Sequence, residues 1–211
     1  MTDLEPISTT RPILLGSASP RRRDILRELG LPHLVRVTET PELQQAGDTP
    51  ESFLERVVLE KLRAAHGAKL PDDEVSCVLV ADTVVVLGEQ ILGKPKDAHD
   101  AARLVGMLVG RTHRVLTRFA ISWVAAGQTR KHATTVESRV TMRRASPDEV
   151  LRYAATGEGL DKAGAYAVQG LGAFLVERVD GSYTNVVGLP ACELVQALTD
   201  TGLLRDFPRV F

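Results

Sequence analysis

Cysteine is scarce in this chain: Cys77 and Cys192 are the only two in 211 residues, with no C-x-x-C and no zinc-type pairing with histidine. Neither a disulfide framework nor a structural zinc is indicated, and a reducing, cytoplasmic setting is expected. The five histidines, at 33, 66, 99, 113 and 132, make no H-x-H or H-x-x-x-H pair, so a histidine-based metal site is not expected. Neither sign of charge dominates: 26 basic against 27 acidic residues leave a net charge of −1. A nucleic-acid partner has little support on that balance, and any cationic cluster must act locally. No apolar run approaches membrane-spanning length, so no membrane partner is expected. The opening "MTDLEPISTTRP" lacks the basic-then-apolar profile of a signal peptide, and residues 1–11 read as a flexible polar head. Ser17 and Ser19 lie in no G-x-S-x-G elbow, which removes the serine-hydrolase reading.

With 44% hydrophobic and 25% charged residues, the rest of the chain has the composition of a folded domain. Residues 12–17 (PILLGS) predict a buried strand running straight into a helix. Ser19 stands as its N-cap, Pro20 at its first position and Gly30 at its stop. Helical spacing over 51–70 puts Phe53, Leu54, Val57, Val58 and Leu62 on one side. "SCVLVADTVVVLG" (76–88) is nearly all β-branched or aliphatic, the pattern of a strand buried on both faces. Asp97 caps a helix ending at Gly110. Residues 112–144 read as two long strands around a turn near Gly127. Ser146-Pro-Asp-Glu149 forms a capping box that opens a helix to about Thr156. Residues 163–188 read as glycine-punctuated loops and short strands, and a last helix is expected from about Leu189 to Leu198. Together these predict one α/β domain over residues 12–211.

Three features carry chemistry. Arg21, Arg22 and Arg23 crowd the front of a helix, where partial positive charge already makes a cation unfavourable. Two readings stay open there: solvated arginines, or a site for an anion. Asp82 lies inside the apolar run 78–87, and burying a carboxylate costs several kcal/mol unless it meets a cation, a metal or several donors. A functional carboxylate at a sheet edge or strand end is the favoured reading. "GEQILGKP" (88–95) has the spacing of a phosphate-binding loop, but Pro95 stands where the hydroxyl and helix entry are needed, so that motif is rejected. Lys94 remains as a lysine facing a phosphate or solvent. Carboxylates alongside the cations Arg21, Arg22, Lys61 and Lys94 suit a polyphosphate with a hard divalent metal.

The stretches "LGSASPRRRDIL", "VADTVVV", "GKPKDAHDA", "GRTHRVLT", "DKAGAYAVQGLG" and "GSYTNVVGLP" together resemble, in this order, the Maf family of nucleoside triphosphate pyrophosphatases. The resemblance implies an α/β single domain with an elongated mixed β-sheet flanked by helices, similar to the inosine triphosphatases. It implies hydrolysis between the α and β phosphates with Mg²⁺, Mn²⁺ or Co²⁺. By position, Asp82 matches the family's catalytic residue, and Glu42 and Asp82 its metal-side carboxylates. The "ETPELQ" stretch around Glu42 departs from the family's usual Asp-Glu dipeptide. Ser17, Ser19, Arg21, Arg22, Lys61 and Lys94 match the phosphate-binding set. Arg22, Thr83 and Gln169 match the positions that choose the base, and here they resemble the subgroup acting on thymidine and uridine triphosphates. Asp161 and Lys162 open a loop that the resemblance places on the nucleotide side. The expected partner is a nucleoside triphosphate, and a homodimer is left open. A nucleotide-binding regulator of cell division, with little turnover, is the alternative.

Overall fold

The computed structural model describes residues 4–37, 40–69 and 74–208. The first three residues of the expected head, Leu70 of the expected second helix and the last three residues of the expected domain lie outside the described residues. The strands are β1 (Ile13–Leu15), β2 (His33–Val35), β3 (Cys77–Leu87), β4 (Gln90–Leu92), β5 (Thr112–Ala125), β6 (Gln128–Met142) and β7 (Val176–Asp180). They form a seven-stranded sheet in the order β2-β1-β3-β5-β6-β7, with β4 paired to β3. β1 runs parallel to β2 and β3, while β4 on β3 and β7 on β6 are antiparallel, so the sheet is mixed. The helices are α1 (Pro20–Glu28), α2 (Pro50–Gly67), α3 (Ala98–Leu108), α4 (Pro147–Ala155), α5 (Tyr183–Val187) and α6 (Ala191–Asp200). The α/β fold with a mixed sheet and helices is thus what the chain adopts. No helix among the described residues is long and apolar enough to cross a membrane.

Local signals account for most element ends. Asp97 caps α3 by accepting from the Asp100 N–H at 2.7 Å. Ser146 and Glu149 complete the expected capping box on α4. Ala126 and Gly127, at φ 51° and 70°, form the two-residue turn that joins β5 to β6. Ser19 departs from expectation: it fills the N-cap of α1 with extended backbone, but its side chain makes no capping bond. The segment after residue 87 also differs. It is not a loop alone, because β4 pairs with Val85–Leu87, and the next helix, α3, begins only at Ala98 and not directly after Lys94, in keeping with the rejected phosphate-loop motif. Within the polar head, Ile7 is buried and its N–H donates to the Leu203 carbonyl at 2.8 Å, so that residue is tied down.

The described residues up to Asp82, together with Arg118–Thr135 and those from Gly188 onward, form one compact unit; Thr83–Thr117 and Val136–Val187 form a second. In the first, Leu14, Val58, Leu62, Ala65, Val78, Val80 and Ala120 pack into a core. These side chains come from β1, α2, β3 and β5, and Val58 and Leu62 belong to the apolar stripe that the helical spacing of α2 predicts. The second unit has its own core, built on Val85, Leu104, Val105, Val115, Val140, Tyr153 and Leu175.

Candidate active site

In the first unit the site begins where β1 ends. Gly16 donates its N–H to Leu79 O at 2.9 Å, which presses the chain against β3. A Cβ at residue 16 would stand 2.8 Å from Ala65 Cβ and 2.9 Å from Val80 Cγ1, so this approach requires glycine. Ser17 follows, buried, and its Oγ accepts from the Ser19 N–H at 3.3 Å and from Arg22 Nη1 at 2.9 Å. Arg22 Nε donates to the Gly188 carbonyl at 2.8 Å. The three arginines are therefore not equivalent: Arg22 is buried, Arg21 half-buried and Arg23 exposed. Burial pushes the Arg22 guanidinium down, the charges of Asp82 and Glu42 pull it back up, and Arg21 adds to the lowering. This answers the question the three arginines raise. The buried one faces carboxylates and is not a solvated surface charge.

Asp82 is 6% exposed and lies in the middle of β3, neither at a sheet edge nor at a strand end as expected. It falls past Cys77–Leu79, which pair with β1, and before Val85–Leu87, which pair with β4. Its countercharge comes from α2. Lys61 sits on the buried face of that helix beside Val57, Val58 and Leu62, 9% exposed. The Lys61 ammonium donates to Asp82 Oδ1 and to Glu42 Oε1, each at 2.6 Å. Asp82 is buried and Glu42 exposed, so their shared cation and the Arg22 charge offset mainly the desolvation of Asp82 and Lys61. The structure thus brings Ser17, Arg22, Glu42, Lys61 and Asp82 together, with Ser19 and Arg21 half-buried on the same loop and helix. Among the described residues no group of three or more His, Cys, Asp or Glu is placed to hold a metal; Glu42 and Asp82 form a pair.

Thr83, Lys94 and Gln169 belong to the second unit. Thr117 Oγ1 donates to the Asn185 carbonyl at 3.0 Å, so at 2.9 Å it accepts the Thr83 hydroxyl. Lys94 is exposed just after β4, and Gln169 is exposed at the entry to a 3-10 turn, Gly170–Leu175. Lys162 Nζ donates to Asp161 Oδ1 and to the Glu158 carbonyl, both at 2.5 Å. Sequence reasoning missed the supports of this unit. Asn185, fully buried, donates through Nδ2 to Val115 O and Ser138 Oγ, both at 3.0 Å. An amide directly before two valines in "YTNVV" was the available signal. Glu158 and Tyr153 were missed as well, with no local signal to mark them. A cavity of about 300 Å³ in this unit is lined by Glu149, Arg152, Tyr153, Thr156, Leu171 and Phe174, none of them an expected site residue.

Comparison with known proteins places the chain in a family. The Maf family profile, described as Maf-like protein, matches residues 12–201. A dTTP/UTP pyrophosphatase of Desulfotalea psychrophila is 44% identical over 188 residues, 89% of this chain and 93% of its own. One from Myxococcus xanthus is 44% identical over 191 residues, covering 90% and 93%. One from Nitratidesulfovibrio vulgaris is 40% identical over 205 residues, covering 97% and 94%. Among solved structures, the Ham1 protein of Staphylococcus aureus aligns with 90% of this chain and 98% of its own, at a TM-score of 0.42 and 16% identity. That likeness is too distant to carry any functional argument. On the family match and on relatives of this identity and coverage, the chain belongs to the Maf-like protein family.

Proposed function

We propose that this chain is a nucleoside triphosphate pyrophosphatase that hydrolyses dTTP and UTP to the monophosphate and pyrophosphate. The observation that carries this reading is the buried Asp82–Lys61 ion pair beside Arg22, with the exposed Glu42 carboxylate on the same ammonium. The sequence relatives support the choice of substrate, since each of the three is named for dTTP and UTP. In the reaction, a water oxygen bonds to the α phosphorus and the bond from that phosphorus to the bridging oxygen of the β phosphate breaks. Asp82 takes the proton from the water, and pyrophosphate leaves. A pure binder would not need a carboxylate buried at such cost, and this disfavours the regulator without turnover.

Arg22 is held rigid by Ser17 and Gly188, so it presents fixed positive charge to phosphate without reorganising. Arg21 adds a second charge on the same helix turn, and Ser17 and Ser19 lie in the loop between β1 and α1. Lys61 holds Asp82 and Glu42 at one point, which differs from a simple phosphate contact. Glu42 and Asp82 would hold a divalent cation such as Mg²⁺, Mn²⁺ or Co²⁺, because both are hard oxygen donors and already converge on one cationic nitrogen. When bound, the ion supplies Lewis acidity and charge on the phosphate oxygens. Gln169 offers an amide donor and acceptor to the polar edge of uracil or thymine, with Thr83 and Arg22 sharing the choice of base. The free thiols of Cys77 and Cys192 fit a cytoplasmic setting.

The test is a panel of nucleoside triphosphates with each of the three metals, scored separately for pyrophosphate and orthophosphate. Pyrophosphate from dTTP and UTP is expected. Orthophosphate alone, or nucleotide binding without turnover, would overturn the reading.

A further inference from the structure

Gln169 is exposed, yet the backbone on either side of it is pinned to one pair of side chains. Before it, the Ala167 N–H donates to the Tyr153 hydroxyl oxygen at 3.1 Å. After it, the Leu171 N–H donates to Glu158 Oε1 at 2.8 Å and the Gly172 N–H to Glu158 Oε2 at 2.7 Å. Tyr153 OH closes the circuit by donating to Glu158 Oε2 at 2.9 Å. Only Val168, Gln169 and Gly170 span the gap between these anchors.

The fit leaves no slack. Gln169 is extended at φ −98° and ψ 162°, and Gly170 at φ 70° then turns the chain into the 3-10 segment. A Cβ at Gly170 would meet Glu158 Oε1 at 2.2 Å, and one at Gly172 would meet the Tyr153 hydroxyl at 2.6 Å. The backbone that carries Glu158 is held as well, since Lys162 Nζ donates to its main-chain carbonyl. Burial works against the Glu158 charge, but the Gly172 and Leu171 N–H groups, the Tyr153 hydroxyl and Lys162 outweigh it and hold the carboxyl below its ordinary range. An ionised carboxylate collecting two consecutive backbone N–H groups and a phenol is a strong, directional anchor.

We infer that Glu158, working with Tyr153, is the positioning residue that fixes Gln169 and thereby sets the preference for a pyrimidine base. This rests on the assignment of Gln169 to the base. An exposed amide has two or three rotatable bonds of its own, so discrimination requires at least that its backbone does not wander. Glu158 touches no substrate in this role and acts only through the three-residue span. A carboxylate that merely closed a turn would affect stability alone, whereas one that aims Gln169 must alter selectivity through Gln169.

The experiment is a double-mutant cycle on the full chain. Glu158→Gln keeps the size but replaces one acceptor oxygen by an amide NH₂, a donor that cannot receive the Leu171 or Gly172 N–H. Gln169→Ala removes the proposed reader. Steady-state kinetics with dTTP and dGTP give kcat/KM for each variant, and amide exchange reads protection at Leu171 and Gly172. Glu158→Gln is expected to lower the dTTP/dGTP ratio about tenfold, the scale of one lost positioning hydrogen bond. The loss should come through a higher KM for dTTP with kcat within about threefold, accompanied by faster exchange at the two amides. Added to Gln169→Ala, it should leave the ratio where Gln169→Ala alone has put it. Should Glu158→Gln fail to fold, Tyr153→Phe, which keeps the ring and removes only the hydroxyl, carries the same cycle. A parental ratio in Glu158→Gln, or an equal drop in the Gln169→Ala background, would overturn the role of Glu158 while leaving Gln169 as reader. A parental ratio in Gln169→Ala itself would instead overturn the assignment of Gln169, and the positioning role with it.

Discussion

Replacing Asp82 by asparagine removes the charge at the centre of the first unit's cluster while keeping its shape. An uncompensated loss of one partner from a buried ion pair costs about 3–5 kcal/mol. Two features of the structure reduce that cost. Glu42 remains on the Lys61 ammonium at 2.6 Å, and the asparagine oxygen still accepts from Lys61. What is lost is the difference between a charged and a neutral acceptor, about 1 kcal/mol. For a chain of this length that corresponds to a fall of roughly 2–4 °C in Tm. From sequence alone the opposite sign is natural, because a buried carboxylate without a partner gains by neutralisation; Lys61 reverses it. Activity should suffer far more than stability. Loss of a positioned base lowers turnover by at least about a hundredfold. Nucleotide affinity should largely persist, since Arg21, Arg22 and Lys94 are untouched. The assay measures nucleotide affinity, pyrophosphate release from dTTP and Tm on one folded preparation. Turnover within about threefold of the parent would refute the assignment of Asp82 as the base.

Arg22→Ala should destabilise the apo protein by about 2–4 kcal/mol, because it strips buried donors from Ser17 Oγ and the Gly188 carbonyl. The helix dipole alone would make loss of a cation there neutral or slightly stabilising, and the burial of Arg22 overrules it; a Tm within about 2 °C of the parent would refute this. His113 is buried with Nε2 on the Tyr166 hydroxyl at 2.8 Å, and burial pushes its ring from the ordinary 6.5 down to about 4. The unfolded chain takes up this proton first, so stability present above pH 6.5 is lost as the pH falls towards 4, by about 3 kcal/mol in all. His113→Gln should lose less over that interval in urea unfolding at pH 7 and 4.5; equal losses in both proteins would show that the pH dependence arises elsewhere. Lys61→Gln leaves Glu42 and Asp82 facing one another without their shared cation, so calorimetry without nucleotide should show tighter Mn²⁺ binding, by about tenfold or more. Unchanged or weaker binding would show that Lys61 does not compete for that position.

Elements whose cause lies within a few residues could be read directly from the sequence. The β-branched run 77–87 is a strand, Asp97 and Ser146 cap helices three residues ahead of the N–H groups they accept, and Gly127 turns the hairpin. These follow from local sterics and local hydrogen bonds, which hold wherever the segment packs. The late glycine-rich region was less legible. It reads as loops and short strands, and β7 at Val176–Asp180 is such a strand, yet it also carries α5 at Tyr183–Val187 and the 3-10 turns at Ala163–Ala165 and Gly170–Leu175. Each of these is too short to show a period and is held by distant partners. The resemblance also chose Asp82, Lys61 and Arg22 as residues, but not their electrostatic state. That Lys61 bridges Glu42 and Asp82, 19 and 21 residues away, was settled only when α2 packed beside β3. That Arg22 is anchored to Gly188, 166 residues on, was settled only when the chain end returned to the same unit. Whether a charge is solvated, paired or buried depends on what stands within a few ångströms of it, and that is a property of the packed chain, not of its order of residues.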